Sequence, residues 1–244
     1  MSEDTRQLPL DVRWRRAPTF TDFVTEGNFE AVAAVVGSAT ARAAPVFLHG
    51  ASGSGKTHLL QAATRLAHDR GRRAVYLPPG IAAEALDGYA AFDVVAVDDC
   101  LAVPDSRHLA VPLVRLMDAL ATGGGNLLMA SRTDLAALAG SIPADLHTRL
   151  ARCSVYALQP LSDAALREAL QRQARLRGLS LGDDTGDYLI RRLPRDMHTL
   201  MAALDRLDQA SLSAQHRLTI PFVQRVLSNW HGARAPTSAR TGAG

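Results

Sequence analysis

The chain has 244 residues, enough to bury one large core or two modest ones, and its 47% hydrophobic and 21% charged content is that of an ordinary globular protein. This excludes a disordered chain, and no stretch approaches the ~18 consecutive apolar residues that a membrane-spanning helix requires. The net charge of +3 permits a nucleic-acid partner but falls well short of the basic footprint of a dedicated DNA binder.

Residues 1–18 are polar, carry Pro9, Pro18 and an Arg13-Trp14-Arg15-Arg16 cluster, and predict an extended, exposed arm. The opening MSEDTRQ lacks the basic and apolar regions of a secretory signal, so the expected location is the cytoplasm. A short apolar helix is predicted over 28–44. Apolar runs at 45–50, 73–77, 93–99, 126–131 and 153–158 then alternate with helical periodicity at 56–70, 80–90 and 107–121 and with short helices reaching Leu150. Pro112 is expected to kink or delay the third of these helices. Buried strands alternating with helices imply an α/β fold with a parallel five-stranded sheet flanked by helices.

After Gln159-Pro160 only helical periodicity remains. The run 162–178 opens on a serine cap and closes on Gly178, and further helices are predicted over 183–193, 195–213 and 219–229. The expected organisation is therefore an arm at 1–18, an α/β core at 19–160, a small all-α unit at 161–230 and a disordered tail at 231–244. Cys100 and Cys153 stand far apart and outside any C-x-x-C arrangement, which reads as two core thiols rather than a disulfide or a zinc site.

The chemistry is concentrated in HGASGSGKTHLL, 49–60. Gly50-Ala51-Ser52-Gly53-Ser54-Gly55-Lys56-Thr57 fits G-x-x-x-x-G-K-S/T at every required position, after a predicted strand and at the start of a predicted helix. Glycines let backbone N–H groups curl around phosphate oxygens, and the helix N-terminus adds partial positive charge. Lys56 reaches the β and γ phosphates, the Thr57 hydroxyl binds magnesium, and Ser52, Ser54 and His58 complete the candidate nucleotide-binding set. Of the 27 lysine and arginine residues Lys56 is the only lysine, which marks a site where a compact ammonium fits and a planar guanidinium does not. At 93–99 an apolar strand ends in two carboxylates; Asp98 would hold magnesium through water and Asp99 could orient an attacking water.

Together these residues resemble the AAA+ ATPases and, within them, the DnaA branch, through FTDFVTEGN (20–28), VFLHGASGSGKTHLLQA (46–62) and VVAVDD (94–99). The runs 156–181 and 197–227 are more narrowly similar to the Hda members of that branch, which inactivate the replication initiator after origin firing, and the resemblance extends over about 7–230. It implies an AAA+ core with a helical lid, and bound ADP or ATP with Mg2+. It makes Arg149, in TRL, an arginine finger reaching a neighbouring subunit's nucleotide, and Arg195 a lid sensor arginine. Phe20, Phe23 and Val24 fall near the implied base pocket. Gln7-Leu8-Pro9-Leu10 matches a glutamine-leucine motif that docks on the DNA polymerase sliding clamp, with Asp11-Val12 standing where a further apolar pair is usual. The implied partners are DnaA and the clamp, with DNA reached through the clamp; a homo-oligomer stays open.

Three further points shape the expectation. The chain ends soon after the lid, which disfavours a DNA-reading initiator. The strand at 126–131 runs into Arg132-Thr133-Asp134 where DnaA relatives place an acidic sensor, so self-hydrolysis is expected to be weak unless Ser131 substitutes. The phosphate loop is intact, so nucleotide affinity is expected to be good. The leading expectation is a clamp-associated stimulator of hydrolysis of DnaA-bound ATP. The rivals are an autonomous AAA+ ATPase or helicase-loader-like protein, drawn from the intact loop and acids, and a DNA-binding initiator paralogue, drawn from the basic composition.

Overall fold

Five parallel strands form one sheet in the computed structural model, which describes residues 18–101, 107–195, 197–212, 218–228 and 230. The arm residues Gln7, Leu8 and Leu10 and the tail at 231–244 lie outside these. The strands are β1 (Val46–His49), β2 (Ala74–Leu77), β3 (Val94–Val97), β4 (Asn126–Ser131) and β5 (Ser154–Ala157), in the spatial order β2-β3-β4-β1-β5. Each falls within one of the apolar runs of the sequence. Such runs form because helices cover both faces of a parallel sheet and leave few polar positions.

Helices α1 (Phe29–Thr40) and α2 (Lys56–Asp69) cover one face, where Val35, Leu59, Leu60 and Ala63 pack on Val46, Leu48, Val94, Ala96, Leu128 and Ala130. The opposite face, formed by Phe47, Val95, Val97, Leu127 and Met129, packs against α3 (Arg107–Gly123) and α5 (Ala144–Leu150) through Leu113, Leu116, Leu120, Leu146 and Leu150. A short α4 (Leu135–Leu138) precedes α5. Both cysteines are free and buried, as expected of core thiols. Burial pushes the Cys100 thiol up to about 12 and the Cys153 thiol up to about 11.

Two helical expectations need correction. The 80–90 stretch forms a 3-10 helix over Ala83–Tyr89. Ala83, Leu86 and Tyr89 face the core at a spacing of three, which a 3-10 turn stacks on one line and an α-helix does not. Pro112 does not delay α3, which starts at Arg107 and runs through it. The only hydrogen bond that proline removes would have gone to the carbonyl of His108, in the first turn, where exposure to water offsets the loss.

The remaining helices are α6 (Asp163–Leu176), α7 (Asp183–Arg192), α8 (Met197–Leu212) and α9 (Ile220–Leu227), and they have a core of their own, built on Leu166, Leu170, Leu189, Leu200, Leu204, Leu207 and Val223. Ser162 caps α6 by accepting from the Ala165 N–H, and Gly178 ends it in the left-handed region. A strap at 18–28 joins the two cores. Asn28 is buried; its amide donates to the Gln159 carbonyl and its Oδ1 accepts from the Gln159 N–H, while the Ser162 hydroxyl donates to Glu26. No helix among the described residues is long and apolar enough to cross a membrane.

Candidate functional site

Parallel strands bring the loops after their C-terminal ends to one edge, where open α/β sheets bind ligands. The 50–55 loop after β1, Asp98 and Asp99 after β3 and Arg132 after β4 all lie there. The loop's shape follows from its glycines. Gly55 has φ +97, and a Cβ on it would lie 2.5 Å from Cε2 of Phe23. A Cβ on Gly50 would lie 2.7 Å from the Leu158 carbonyl oxygen. Neither position accepts a side chain, so the backbone approaches both neighbours directly.

Lys56 is 7% exposed, and its ammonium donates to the carbonyls of Gly50 (2.6 Å) and Ala51 (2.8 Å) and to the Ser54 hydroxyl (3.3 Å). These three acceptors match its three N–H donors. Its pKa is lowered, first by burial and further by Arg132, with Asp98 and Asp99 opposing. The adjacent Thr57 hydroxyl donates to Oδ2 of Asp98 (2.6 Å). The same oxygen accepts from the Tyr76 hydroxyl (2.8 Å), and Asp98 is 2% exposed. Burial, then the neighbouring Asp98, raises the Tyr76 pKa above its ordinary value.

Asp99 adopts φ +45, uncommon for a residue with a side chain. Arg132 Nε forms an ion pair with Asp99 Oδ2 at 3.1 Å, and Asp99 Oδ1 is buried with no hydrogen-bond partner. Ser131 is buried; its Oγ accepts from the Thr133 N–H and donates to the Leu101 carbonyl, so it serves the local turn. Asp134 caps α4 by accepting from the Ala137 N–H.

These residues fit a magnesium nucleotide. Thr57 and Asp98 offer hard oxygen donors, Asp99 Oδ1 is a buried acceptor without a partner, and the glycine loop opens α2. No cluster of three or more histidine, cysteine, aspartate or glutamate residues suited to a metal occurs among the described residues.

The structure brings Gly50, Gly53, Ser54, Gly55, Lys56, Thr57, Asp98 and Asp99 to one edge, with Ser52 exposed on the loop. Phe23 lies on Gly55 and against the His58 ring, 5.6 Å between centroids, and His58 Nε2 bonds the Thr19 carbonyl (2.8 Å). Val24 instead lines a groove of about 500 Å³ with Glu26, Ser162, Arg167 and Gln171, beside α6. Phe20 is partly buried against the core that α1 and α2 form with the sheet. Arg149 stands on α5, bonded to Asp118 of α3 and to Asp145 one turn before it (3.1 Å); Asp118 first and Asp145 second raise its pKa. Arg195 lies two residues ahead of α8, 65% exposed and 3.2 Å from Asp163 at the start of α6. None of the contacts described for either arginine reaches the 50–55 loop. Sequence reasoning missed Tyr76 and the role of Arg132, and only the tyrosine in an otherwise aliphatic strand gave a local signal.

Residues 15–153 match the model of the bacterial DnaA ATPase domain, and residues 163–227 match that of the Hda lid domain. The chain belongs to the Hda/DnaA-related AAA+ proteins. An uncharacterized protein of Haemophilus influenzae is 34% identical over 229 residues, covering 91% of this chain and 99% of that one. Domain III of the Thermotoga maritima replication initiation protein DnaA superposes with a TM-score of 0.72 at 19% identity, over 86% of this chain and 95% of that domain. AMPPCP-bound DnaA from Aquifex aeolicus gives 0.62 at 19% identity, over 80% of this chain and 64% of that one. At that identity the two structures establish the AAA+ fold alone, and the chain spans about two thirds of the Aquifex DnaA chain.

Proposed function

We propose that this DnaA-related protein is a regulator of replication initiation that stimulates hydrolysis of ATP bound by DnaA, supplying Arg149 in trans while its own loop holds ADP or ATP with Mg2+. The observation that carries the reading is the joining, in one chain, of a DnaA-type ATPase region at 15–153 to an Hda-type lid at 163–227. Residues 19–160 act as the nucleotide-binding core and 161–230 as the lid. Gln7, Leu8 and Leu10 tether the protein to the sliding clamp, and so indirectly to DNA, as a short extended peptide that orders on binding.

Arg149 suits the role because it stands on a short helix rather than at the chain's own loop, with Asp145 and Asp118 restricting its rotamers. An arginine placed against another subunit's γ phosphate stabilises charge in phosphoryl transfer, worth ~10³ to 10⁵ in rate. At the chain's own loop, Lys56 and the backbone N–H groups bind phosphate, Thr57 and Asp98 hold the cation, and Arg195 contacts the nucleotide from the lid. A bound magnesium nucleotide supplies the charge that fastens core to lid. Asp99, paired with Arg132, turns over little of that nucleotide.

The test is hydrolysis of ATP preloaded on DnaA, followed with and without this protein and with the clamp on DNA. Acceleration that needs both supports the reading. An autonomous ATPase is the second reading, favoured by the buried Asp99 oxygen that has no partner. It predicts substantial ATP turnover by this protein alone and no dependence on DnaA.

A further inference from the structure

Asp98 accepts two hydrogen bonds on one oxygen, from residues on different elements. The Thr57 hydroxyl comes from α2 at 2.6 Å and the Tyr76 hydroxyl from β2 at 2.8 Å. Strands β2 and β3 pair in register, with Leu77 opposite Val97, and the Asp98 N–H donates to the Leu77 carbonyl. Tyr76 is thus fixed beside the end of β3 by the ladder itself.

We propose that Tyr76 is a positioning residue for the Asp98 carboxylate, holding Oδ2 so that the carboxylate keeps one orientation toward the cation. The proposal rests on the reading of Thr57 and Asp98 as the cation-holding pair. An aspartate with two freely rotating torsions samples several rotamers, and each donor on Oδ2 removes some of that freedom. Thr57 is exposed and sits where ligand binds, so its hydroxyl has two tasks. Tyr76 is half-buried and its hydroxyl donates to Asp98 alone. Partners of this kind around a ligating group change metal affinity 10- to 100-fold when removed.

The experiment uses the full chain and a fluorescent ADP analogue, titrated with Mg2+ and in EDTA, for wild type, Tyr76→Phe, Asp98→Asn and the double variant. The expected result for Tyr76→Phe is a half-saturating Mg2+ concentration raised about 10-fold or more, with the EDTA affinity within twofold of wild type. In the Asp98→Asn background, Tyr76→Phe is expected to add nothing. A half-saturating Mg2+ concentration unchanged by Tyr76→Phe overturns the proposal. So does an equal fall of affinity with and without Mg2+, which is the mark of a purely structural role. If Asp98→Asn also leaves the Mg2+ dependence intact, the cation-site reading fails along with it. Thermal unfolding of the nucleotide-free variants shows that each compared protein is folded.

Discussion

Thr57 and Asp98, 41 residues apart in sequence, are joined by a 2.6 Å hydrogen bond that ties the first turn of α2 to the end of β3. Lys56, next to Thr57, closes the other side of the same turn on the carbonyls of Gly50 and Ala51. The phosphate loop is thereby fixed at both ends by its own chain. This preorganisation lowers the ordering cost of binding a nucleotide.

The first prediction concerns the only lysine. A guanidinium is wider than an ammonium and cannot donate to Gly50, Ala51 and Ser54 from one nitrogen. Lys56→Arg keeps the charge, yet it should lower nucleotide affinity nearly as far as Lys56→Ala, by about 100-fold, roughly 2.7 kcal/mol. Titration with a fluorescent ADP analogue checks this; wild-type affinity in Lys56→Arg would show that charge alone matters.

Gly55→Ala combines two penalties. The backbone sits at φ +97, and the new methyl would lie 2.5 Å from the Phe23 ring. The expected loss is about 2 kcal/mol of stability, read as a lower urea midpoint. Phe23→Ala on the same background removes the ring and should recover the steric part only.

Stability should also depend on pH through His58. Its pKa is lowered from 6.5, chiefly by burial, with the Thr19 carbonyl and Asp22 opposing. The unfolded chain therefore takes up this proton at a higher pH than the folded one. The contribution is present in full above the unfolded value and is lost as pH falls from there through the lowered folded value. Melting temperatures at pH 7.5 and pH 5.5 should diverge more for wild type than for His58→Gln. An equal divergence would show that His58 does not titrate differently on folding.

The five strands and the phosphate loop were legible in the sequence because each is a local signal, a buried apolar run or a fixed spacing of glycines, lysine and threonine. The pairs that complete the site were not. Tyr76 meets Asp98, Arg132 meets Asp99 and Phe23 meets Gly55 only because parallel pairing and the strap bring separate segments to one sheet edge. The 80–90 stretch reads as helical from its alanines and leucine, which suit both helix types, and the spacing of Ala83, Leu86 and Tyr89 makes it a 3-10 helix. Arg149 and Arg195 drew notice only through family resemblance, since among so many arginines neither has a local pattern of its own.

The central claim is that Arg149 acts on a partner's nucleotide. The direct measurement is the rate at which ATP preloaded on DnaA is hydrolysed, with the clamp on DNA, by wild type and by Arg149→Ala. The account predicts that Arg149→Ala loses the stimulation by about 10³-fold, while binding a fluorescent ADP analogue as tightly as wild type does. Stimulation equal to wild type by Arg149→Ala would contradict it.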